Sequence, residues 1–369
     1  MYKANVGHGL RAFCLKQSDP YATLNPAASI HICRGPHHVS TPSFWRDRTV
    51  LVAGATGFLG GWVVRKLVDY GANVIAIVRT ARPESQFFMK NLQHRVRVKF
   101  GDIADAAFVA KVFEEHPDIS VFFHCAYGAD VNRVLKEPLE CFQSAAVSTW
   151  NILDLCRRKY PTCACIISST DKAYGNQALP YRESSPLDPR HPYEIAKACQ
   201  DLSAQSYGKI FGLPTAITRC GNYYGGYDFN LTRLIPGVMK DLVEGRQPVL
   251  RSNGRFTRDF LYIEDAAEVQ LFLAERIHGD PSLYGEAFNF SYGLEIEVID
   301  IVRRLSALFG DPVEPIVNDS VRVEIPHMRL CSDKAADRLG WKPRYSFDQG
   351  LQRTVAWYSQ HFKKALLAA

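Results

Sequence analysis

The sequence predicts an α/β fold built on a doubly wound parallel sheet, followed by a smaller C-terminal lobe. Short apolar segments alternate with amphipathic helical segments from residue 49 to about residue 220, and the first connection is rich in glycine. Alternation of this length implies right-handed crossovers and helices on both faces of the sheet. From about Gly221 onward the pattern loosens into shorter strands, loops and helices. This is the Rossmann type of arrangement, with the lobe interleaved with the end of the sheet.

Five apolar segments carry the predicted strands. Thr49–Ala53 is a β-branched run typical of a buried parallel strand. An amphipathic helix is predicted over residues 58–70, and Gly71 suits its C-cap. The other predicted strands are Asn73–Val78, 96–100, Val121–His124 and 163–168.

The length of 369 residues suggests two domains, because a domain averages about 150 residues. Residues 1–44 lack hydrophobic periodicity and form a predicted tail. They are acid-poor with scattered arginine and serine, so a disordered arm and a targeting segment are both open interpretations. Residues 45–220 form the predicted sheet domain, and residues 221–362 form the predicted lobe. A segment near 258–275 is predicted to return from the lobe to the sheet domain.

The charge distribution argues against a nucleic-acid partner. The net charge is +6, but residues 1–46 hold five basic residues against one acidic residue, so the body carries only +2. A nearly neutral body does not track a phosphate backbone. No apolar run approaches the ~20 residues that a membrane-spanning helix needs, so no membrane association is predicted.

The ten cysteines contain no Cys-x-x-Cys pair. Cys163 and Cys165 share one face of a predicted strand and are interpreted as buried, reduced thiols, with zinc or a disulfide as the alternatives. Reduced thiols favour a cytoplasmic location, and organelle targeting by residues 1–44 is the alternative. No metal site is predicted, since the tail histidines lack the spacing of metal ligands.

The turn after the first strand has the pattern Gly-x-x-Gly-x-x-Gly. Glycines at this point let the backbone turn sharply and approach a pyrophosphate, while the following helix offers free N–H groups. Because the turn lies between a buried strand and an amphipathic helix, it predicts dinucleotide binding. The predicted cofactor residues of this turn are Gly54, Thr56, Gly57, Phe58, Leu59 and Gly60.

The choice between NAD and NADP depends on the end of the second strand. A carboxylate is expected there to hold the ribose hydroxyls of NAD, but the sequence has Arg79, which suits a 2′-phosphate. Asp102 and Ile103 follow the next strand, where a carboxylate can meet the adenine amino group. NAD is the predicted cofactor, with NADP as the alternative.

Tyr193 and Lys197 form a Tyr-x-x-x-Lys pair on one face of a predicted helix. A tyrosine titrates near ~10, and lowering its pKa by ~3 units takes roughly 4 kcal/mol. One cation about 4 Å away supplies ~4 kcal/mol at an effective dielectric constant of ~20. Lys197 is therefore sufficient to activate Tyr193 as a base beside the cofactor.

The segment from Ser168 to Gly175 follows the 163–168 strand, at the carboxyl end of the sheet where doubly wound folds place their sites. This segment, the glycine turn, the Tyr-x-x-x-Lys pair and residues 219–222 follow one another in an order and spacing that resemble a known family. The family is the extended short-chain dehydrogenases, which include the NAD-dependent epimerases and dehydratases. Within that superfamily the chain most resembles the CDP-glucose 4,6-dehydratases, over residues 44–362. The matching residues include Phe44, Trp45, Trp62, Asp171, Lys172, Tyr181, Glu183, Arg233, Pro236, Gly340 and Trp341.

The resemblance implies roles for individual residues. Thr170 would hydrogen-bond the sugar O4, and Tyr193 would take the O4 proton with Lys197 tuning its pKa. Asp171 would be the acid that protonates the departing C6 hydroxyl, provided that burial raises its pKa. Lys172 would be the C5 base or an electrostatic stabiliser of the enolate.

In the lobe, the resemblance places Asn222, Arg233 and Arg258 at the nucleotide diphosphate of the substrate. A guanidinium suits two phosphate oxygens at once. The implied function is that of a nucleotide-sugar 4,6-dehydratase, with a 4-epimerase or reductase on the same scaffold as the alternative and a non-catalytic sensor as a third hypothesis. A homodimer is also implied, with the helix from Tyr193 to Gly208 in a four-helix interface.

Overall fold

A seven-stranded parallel sheet organises the chain. The computed structural model describes residues 39–127, 131–310, 312–320 and 324–368. Neighbouring strands pair in parallel in the order β7-β6-β5-β4-β1-β2-β3, which confirms the predicted fold class. The strands are β1 (Thr49–Ala53), β2 (Asn73–Val78), β3 (Arg97–Phe100), β4 (Val121–His124), β5 (Ala164–Ser168), β6 (Thr215–Cys220) and β7 (Glu286–Phe290).

The winding of the sheet reverses between β1 and β4. The chain runs outward from β1 through β2 and β3 and then returns to β4 on the other side of β1. At such a switch point the connections leave in opposite directions, so a crevice opens at the carboxyl ends of the strands. Here the crevice is bordered by residues 54–57 after β1 and by residues 125–127 after β4.

Helices cover the sheet and build the C-terminal part of the chain. The longer helices of the described residues are α1 (Phe58–Asp69), α2 (Ala106–Glu115), α3 (Ser148–Lys159), α4 (Pro192–Phe211), α5 (Leu234–Val243), α6 (Ile263–Gly279), α7 (Val298–Phe309), α8 (Asp333–Leu339) and α9 (Phe347–Ala368). Shorter helical segments are Pro42–Trp45, Gln86–Met89, Leu92–His94, Val131–Lys136, Pro138–Phe142, Asp171–Tyr174 and Pro281–Leu283, and a π-helical turn spans Gln143–Val147. No helix among the described residues has the length and apolar character needed to cross a membrane.

Burial explains which strands the sequence pattern predicts well. β1, β4, β5 and β6 are buried along their whole length, as expected of central parallel strands. β3 is the edge strand, and its side chains are exposed or half-buried. Observed and predicted bounds differ by one residue at the starts of β3 and β5 and at the end of α1. Gly71 follows α1 with a φ of +81°, the left-handed conformation that a C-cap glycine provides.

The segment after residue 220 contributes to the sheet as well as to the lobe. Its short strands pair Asn222–Tyr224 with Phe260–Tyr262, Thr257–Arg258 with Ile296–Glu297, and Val249–Leu250 with Ile316–Val317. Helix α6, within the predicted returning segment, packs on α1 and β5. The chain then adds β7 beside β6, and the sequence analysis had placed neither of these two strands. The division at residue 220 stays a prediction.

The structure describes residues 39–44, which the sequence analysis assigned to the tail. Residues 1–38 of the predicted tail lie outside the described residues. The backbone N–H of Ser40 donates to the Glu268 Oε1 at 2.7 Å, and that of Thr41 donates to the Glu275 Oε2 at 2.8 Å. These bonds join residues 40–41 to α6, and the helix Pro42–Trp45 follows with Trp45 buried.

Three thiols meet in the core on one side of the sheet. Cys163 and Cys165 are buried, as predicted, and Cys156 of α3 brings its Sγ within 4.8 Å of theirs. Their neighbours in this core are mainly apolar side chains. We therefore attribute the cluster to packing, in which a thiol behaves as a small hydrophobic group.

Candidate active site

The glycine turn after β1 forms a cradle that side chains would fill. Gly54 has a φ of +83°, and a Cβ built on it would lie 2.6 Å from the backbone of Cys125 and Ala126. A Cβ on Gly60 would lie 2.1 Å from the carbonyl oxygen of Gly54. Helix α1 begins at Phe58 with no side-chain cap on Gly57, so its first N–H groups stay available to an anion. These observations fit a bound pyrophosphate.

An open groove extends from this cradle along the ends of β1, β2, β3 and β4. Its walls include the predicted residues Gly54, Thr56, Gly57, Arg79, Asp102 and Ile103. The other three predicted residues of the turn do not line it: Leu59 and Gly60 are buried at the start of α1, next to Phe58. The position of the groove, which runs from the glycine turn across the strand ends, fits a dinucleotide.

The sequence analysis missed part of the groove wall. Thr80, Arg82, Cys125, Ala126, Tyr127 and Ser144 also line it. The residues after β4 could have been found, because the carboxyl ends of parallel strands meet at one edge of the sheet. Ser144 could not, since it reaches the groove from the π-helical turn 143–147, which no sequence pattern marks.

Arg79 lies where the sequence analysis placed it, at the end of β2. Its guanidinium nitrogens lie 3.6 Å from the Asp102 Oδ2 and 3.6 Å from the Glu140 Oε1. Arg79 thus meets carboxylates of the protein, and its positive charge is partly balanced without a 2′-phosphate. This pairing supports NAD over NADP.

Replacing Gly60 by alanine is expected to weaken NADH binding about 10- to 100-fold. The new Cβ would clash with a backbone carbonyl, and such overpacking typically costs about 1–3 kcal/mol. A fluorescence titration with NADH measures the effect. Gly279→Ala is the matched control, because a Cβ there meets no atom within 4 Å. Equal affinities for Gly60→Ala and the unaltered protein would show that the cradle does not hold the cofactor.

Tyr193 and Lys197 of α4 meet the end of β5. The Lys197 Nζ donates to the carbonyl oxygen of Ser168 at 2.6 Å, which fixes the ammonium beside the segment 168–175. Thr170 and Asp171 both influence the pKa of the Tyr193 phenol, and the Thr170 Oγ1 donates to the Asp171 Oδ1 at 3.1 Å. The predicted residues Thr170, Asp171, Tyr193 and Lys197 therefore form one cluster.

Burial shifts the pKa values of this cluster. It raises the pKa of Asp171 to about 6, against the opposing effects of Lys172, Thr170 and Arg258. This is the shift that the sequence analysis required of an acid. Burial also lowers the pKa of Lys197 to about 8.

Tyr193 differs from the expectation. Burial raises its pKa to about 12, and the neighbouring Thr170 hydroxyl offsets this only in part. The sequence argument counted the attraction of one cation but not the desolvation of the phenolate. The groups of the protein alone therefore do not give Tyr193 the lowered pKa that was predicted from Lys197.

Two arginines of the lobe reach this cluster. Arg233 is electrostatically coupled to Tyr193, and its guanidinium also donates to the Asp228 Oδ2 at 3.0 Å. Arg258 is buried and coupled to Asp171. Asn222 is different, because its side-chain amide donates to the carbonyl oxygen of Asp259 at 3.1 Å and so supports the strand pair of the lobe.

Glu324 is a site residue that the sequence analysis missed. Its Oε1 accepts a hydrogen bond of 2.6 Å from Arg258, and both Arg258 and Lys172 lower the pKa of Glu324 against the effect of burial, which is the largest. The carboxylate therefore lies among the cations where a diphosphate is predicted. No sequence signal pointed to it, since Glu324 and Arg258 are 66 residues apart.

The comparisons with known proteins agree with this geometry. The family model described as GDP-mannose 4,6 dehydratase matches residues 51–354. The dTDP-glucose 4,6-dehydratase of Xanthomonas campestris pv. campestris is 30% identical over 336 residues, which cover 84% of this chain and 93% of the relative.

Solved structures give the same fold. The dTDP-glucose 4,6-dehydratase of Streptomyces venezuelae, crystallised with NAD bound, has a TM-score of 0.75 at 26% identity and covers 86% of this chain and 98% of that one. A UDP-N-acetylglucosamine 4-epimerase from Methanobrevibacter ruminantium has a TM-score of 0.76 at 25% identity, with 86% and 99% covered. The resemblance to the NAD-dependent epimerases and dehydratases is confirmed, although these dehydratase relatives act on dTDP-glucose where the motifs pointed to CDP-glucose. The chain belongs to the GDP-mannose 4,6 dehydratase family.

Proposed function

We propose that this protein is an NAD-dependent nucleotide-sugar 4,6-dehydratase, which converts an NDP-hexose to its 4-keto-6-deoxy form. The observation that carries the proposal is the cluster of Thr170, Asp171 and Tyr193 beside the groove that begins at the glycine turn. Removal of water from C5 and C6 needs an acid beside the hexose. Asp171, with a pKa raised to about 6 by burial, supplies one.

The side chains divide the chemistry among them. Tyr193 takes the O4 proton while Thr170 holds the same oxygen, and Asp171 protonates the C6 hydroxyl as it leaves. The groove lined by Gly54, Thr56 and Gly57 would hold NAD, which would supply hydride transfer between C4 and C6 of the hexose and a positive charge that favours the Tyr193 phenolate. Lys172 is coupled to the carboxylates of Asp171 and Glu324, and we assign it to C5 of the hexose. Its neutral amine would take the C5 proton, the resulting ammonium would stabilise the enolate, and the same proton would return to C5 when the hydride reaches C6.

Arg233 and Arg258 hold the substrate diphosphate in this proposal. Both guanidiniums are coupled to groups of the reacting cluster, so a diphosphate between them would bring the hexose to Tyr193 and Asp171. Each now binds a carboxylate, Asp228 or Glu324, which a phosphate oxygen can replace. Asn222 has an indirect role in this proposal, because its side chain supports the backbone of the strand pair in the lobe.

The decisive experiment is an incubation of the protein and NAD with CDP-, dTDP-, GDP- and UDP-hexoses. Mass spectrometry is expected to detect the loss of one water from at least one of them. The absence of water loss from all four would overturn the dehydratase proposal. An interconversion of C4 epimers without water loss would instead identify a 4-epimerase, the second candidate, which the structural likeness to the M. ruminantium epimerase favours.

We also propose that the protein works as a homodimer in a reducing compartment, the cytoplasm. The described cysteines are free thiols, which supports such a compartment. Exposed apolar side chains on α3 and α4 support the dimer: Trp150 is 47% exposed, Leu202 54% and Ile210 74%. The indole N–H of Trp150 donates to the Ser203 Oγ at 2.7 Å, so the two helices present one surface.

Replacing Ile210 by glutamate is expected to shift the protein from dimer to monomer in sedimentation velocity at micromolar concentration. A buried, unpaired carboxylate in an apolar interface costs several kcal/mol, enough to lower dimer affinity by about three orders of magnitude or more. Leu308→Glu on α7 is the matched control, since Leu308 is also exposed but lies on another helix. A monomeric unaltered protein would refute the dimer.

A further inference from the structure

Gln200 of α4 lies behind Lys197, and the proposed function gives it no role. Its side chain is fully buried, one turn of α4 after Lys197. The Lys197 Nζ donates to the Gln200 Oε1 at 2.9 Å as well as to the carbonyl oxygen of Ser168 at 2.6 Å. An ammonium has three N–H donors, so these two bonds leave one donor for the site.

The amide nitrogen of Gln200 is also hydrogen-bonded within the protein. Its Nε2 donates to the Thr149 Oγ1 at 2.8 Å, and the Thr149 Oγ1 donates to the carbonyl oxygen of Ala145 at 2.7 Å. Ala145 belongs to the π-helical turn Gln143–Val147, whose Ser144 lines the cofactor groove. A continuous chain of hydrogen bonds thus joins Lys197 to the wall of that groove.

The directions of these hydrogen bonds permit only one orientation of the Gln200 amide. Lys197 has donors only, so it requires the oxygen of Gln200. The Thr149 hydroxyl uses its proton on Ala145, so it requires the N–H of Gln200. A reversed amide would place donor against donor at Lys197 and acceptor against acceptor at Thr149, with both pairs buried. The fold therefore sets the acceptor that faces the ammonium.

We propose that Gln200 is a positioning residue, which holds the Lys197 ammonium in place and connects it to the π-helical turn of the cofactor groove. The inference rests on the proposed function, in which Lys197 acts beside Tyr193 and the cofactor. A neutral amide holds the ammonium by hydrogen bonding without cancelling its charge. Lys197 therefore remains a cation that can act on the phenol of Tyr193.

The burial of Lys197 gives weight to each of its hydrogen-bond acceptors. Burial lowers the pKa of Lys197 to about 8, and a buried ammonium without hydrogen-bond acceptors would lose its proton more readily. Four titratable or charged groups of the described neighbouring elements face Lys197. They are His124 at the end of β4, Cys125 directly after it, Cys141 of the helix Pro138–Phe142, and Asp201 of α4. The ring of Tyr127 lies 5.1 Å from the Nζ.

The test compares Gln200→Met, which keeps the length of the side chain but removes both polar ends, with Gln200→Glu, which keeps the acceptor as a carboxylate. For Gln200→Met we expect kcat to fall about 10- to 100-fold, the effect of losing a hydrogen bond to a charged group, with KM for the nucleotide sugar changed less than about twofold. Activity needs the ammonium, so it falls as the pH rises through the pKa of Lys197. The pH at which activity falls is expected to be about one unit lower in Gln200→Met than in the unaltered protein, and higher in Gln200→Glu.

Gln205→Met is the control, because Gln205 is a half-buried glutamine of the same helix whose amide donates to the Asp201 Oδ1. A second readout does not depend on sugar turnover: the affinity for NADH, followed by fluorescence across pH, reports the ionisation of Lys197. If the unaltered protein turns over no nucleotide sugar, the proposed function fails, and the NADH titrations still decide the role of Gln200. If Gln200→Met does not fold, Gln200→Glu decides it. Profiles equal to the unaltered protein in both readouts would overturn the inference.

Discussion

Replacing Tyr193 by phenylalanine is expected to lower kcat for the loss of water by about 10²- to 10⁴-fold, the usual contribution of a positioned acid or base. In the proposed mechanism the Tyr193 phenol takes the O4 proton, and phenylalanine has no oxygen to accept it. The aromatic ring that packs 4.9 Å from Tyr127 is kept, so the fold and the affinity for NADH are expected to change little. Product formation is measured by mass spectrometry at saturating substrate.

Tyr207→Phe serves as the matched control for this substitution. Tyr207 is on the same helix but packs against Phe211, away from the reacting cluster. Its hydroxyl is expected to contribute nothing to turnover. If Tyr193→Phe retained more than about a tenth of the kcat of the unaltered protein, Tyr193 would not be the base.

Replacing Asp171 by asparagine is expected to lower the rate of water loss by about 10²- to 10³-fold. Burial raises the pKa of Asp171 to about 6, so its acid form is depleted as the pH rises through that value. In the unaltered protein the elimination step is therefore expected to slow above about pH 6. Asparagine does not titrate, so this limb is expected to disappear from the profile of the variant, which is measured over pH 5–8.

The same variant separates the dehydratase from the epimerase. In a dehydratase, Asp171→Asn is expected to block the loss of water while exchange of the C5 hydrogen with deuterated solvent continues, because Asp171 acts only at C6. Unchanged turnover in both Asp171→Asn and Lys172→Ala would favour the 4-epimerase instead. Asp348→Asn is the control, since Asp348 is an exposed carboxylate that pairs with Arg304 far along the chain.

Local sequence patterns were enough to predict five strands of the sheet, the glycine turn and the residue pair proposed for catalysis. β1, β4 and β5 are short apolar runs bounded by polar residues, and such runs are recognisable because central parallel strands bury both faces. The glycine turn follows from its local backbone requirements, which the left-handed φ of Gly54 illustrates. Tyr193 and Lys197 were found because two residues four apart on a helix share a face.

The tertiary structure alone decided which distant residues complete the site. Glu324 meets Arg258, Ser144 meets the groove, and β7 joins β6, and each of these contacts joins segments far apart in the chain, which no local periodicity encodes. It also decided the protonation of the site. The pKa values of Tyr193 and Asp171 depend on how much water the folded chain removes from them, and desolvation is a property of the packed protein rather than of any residue pair.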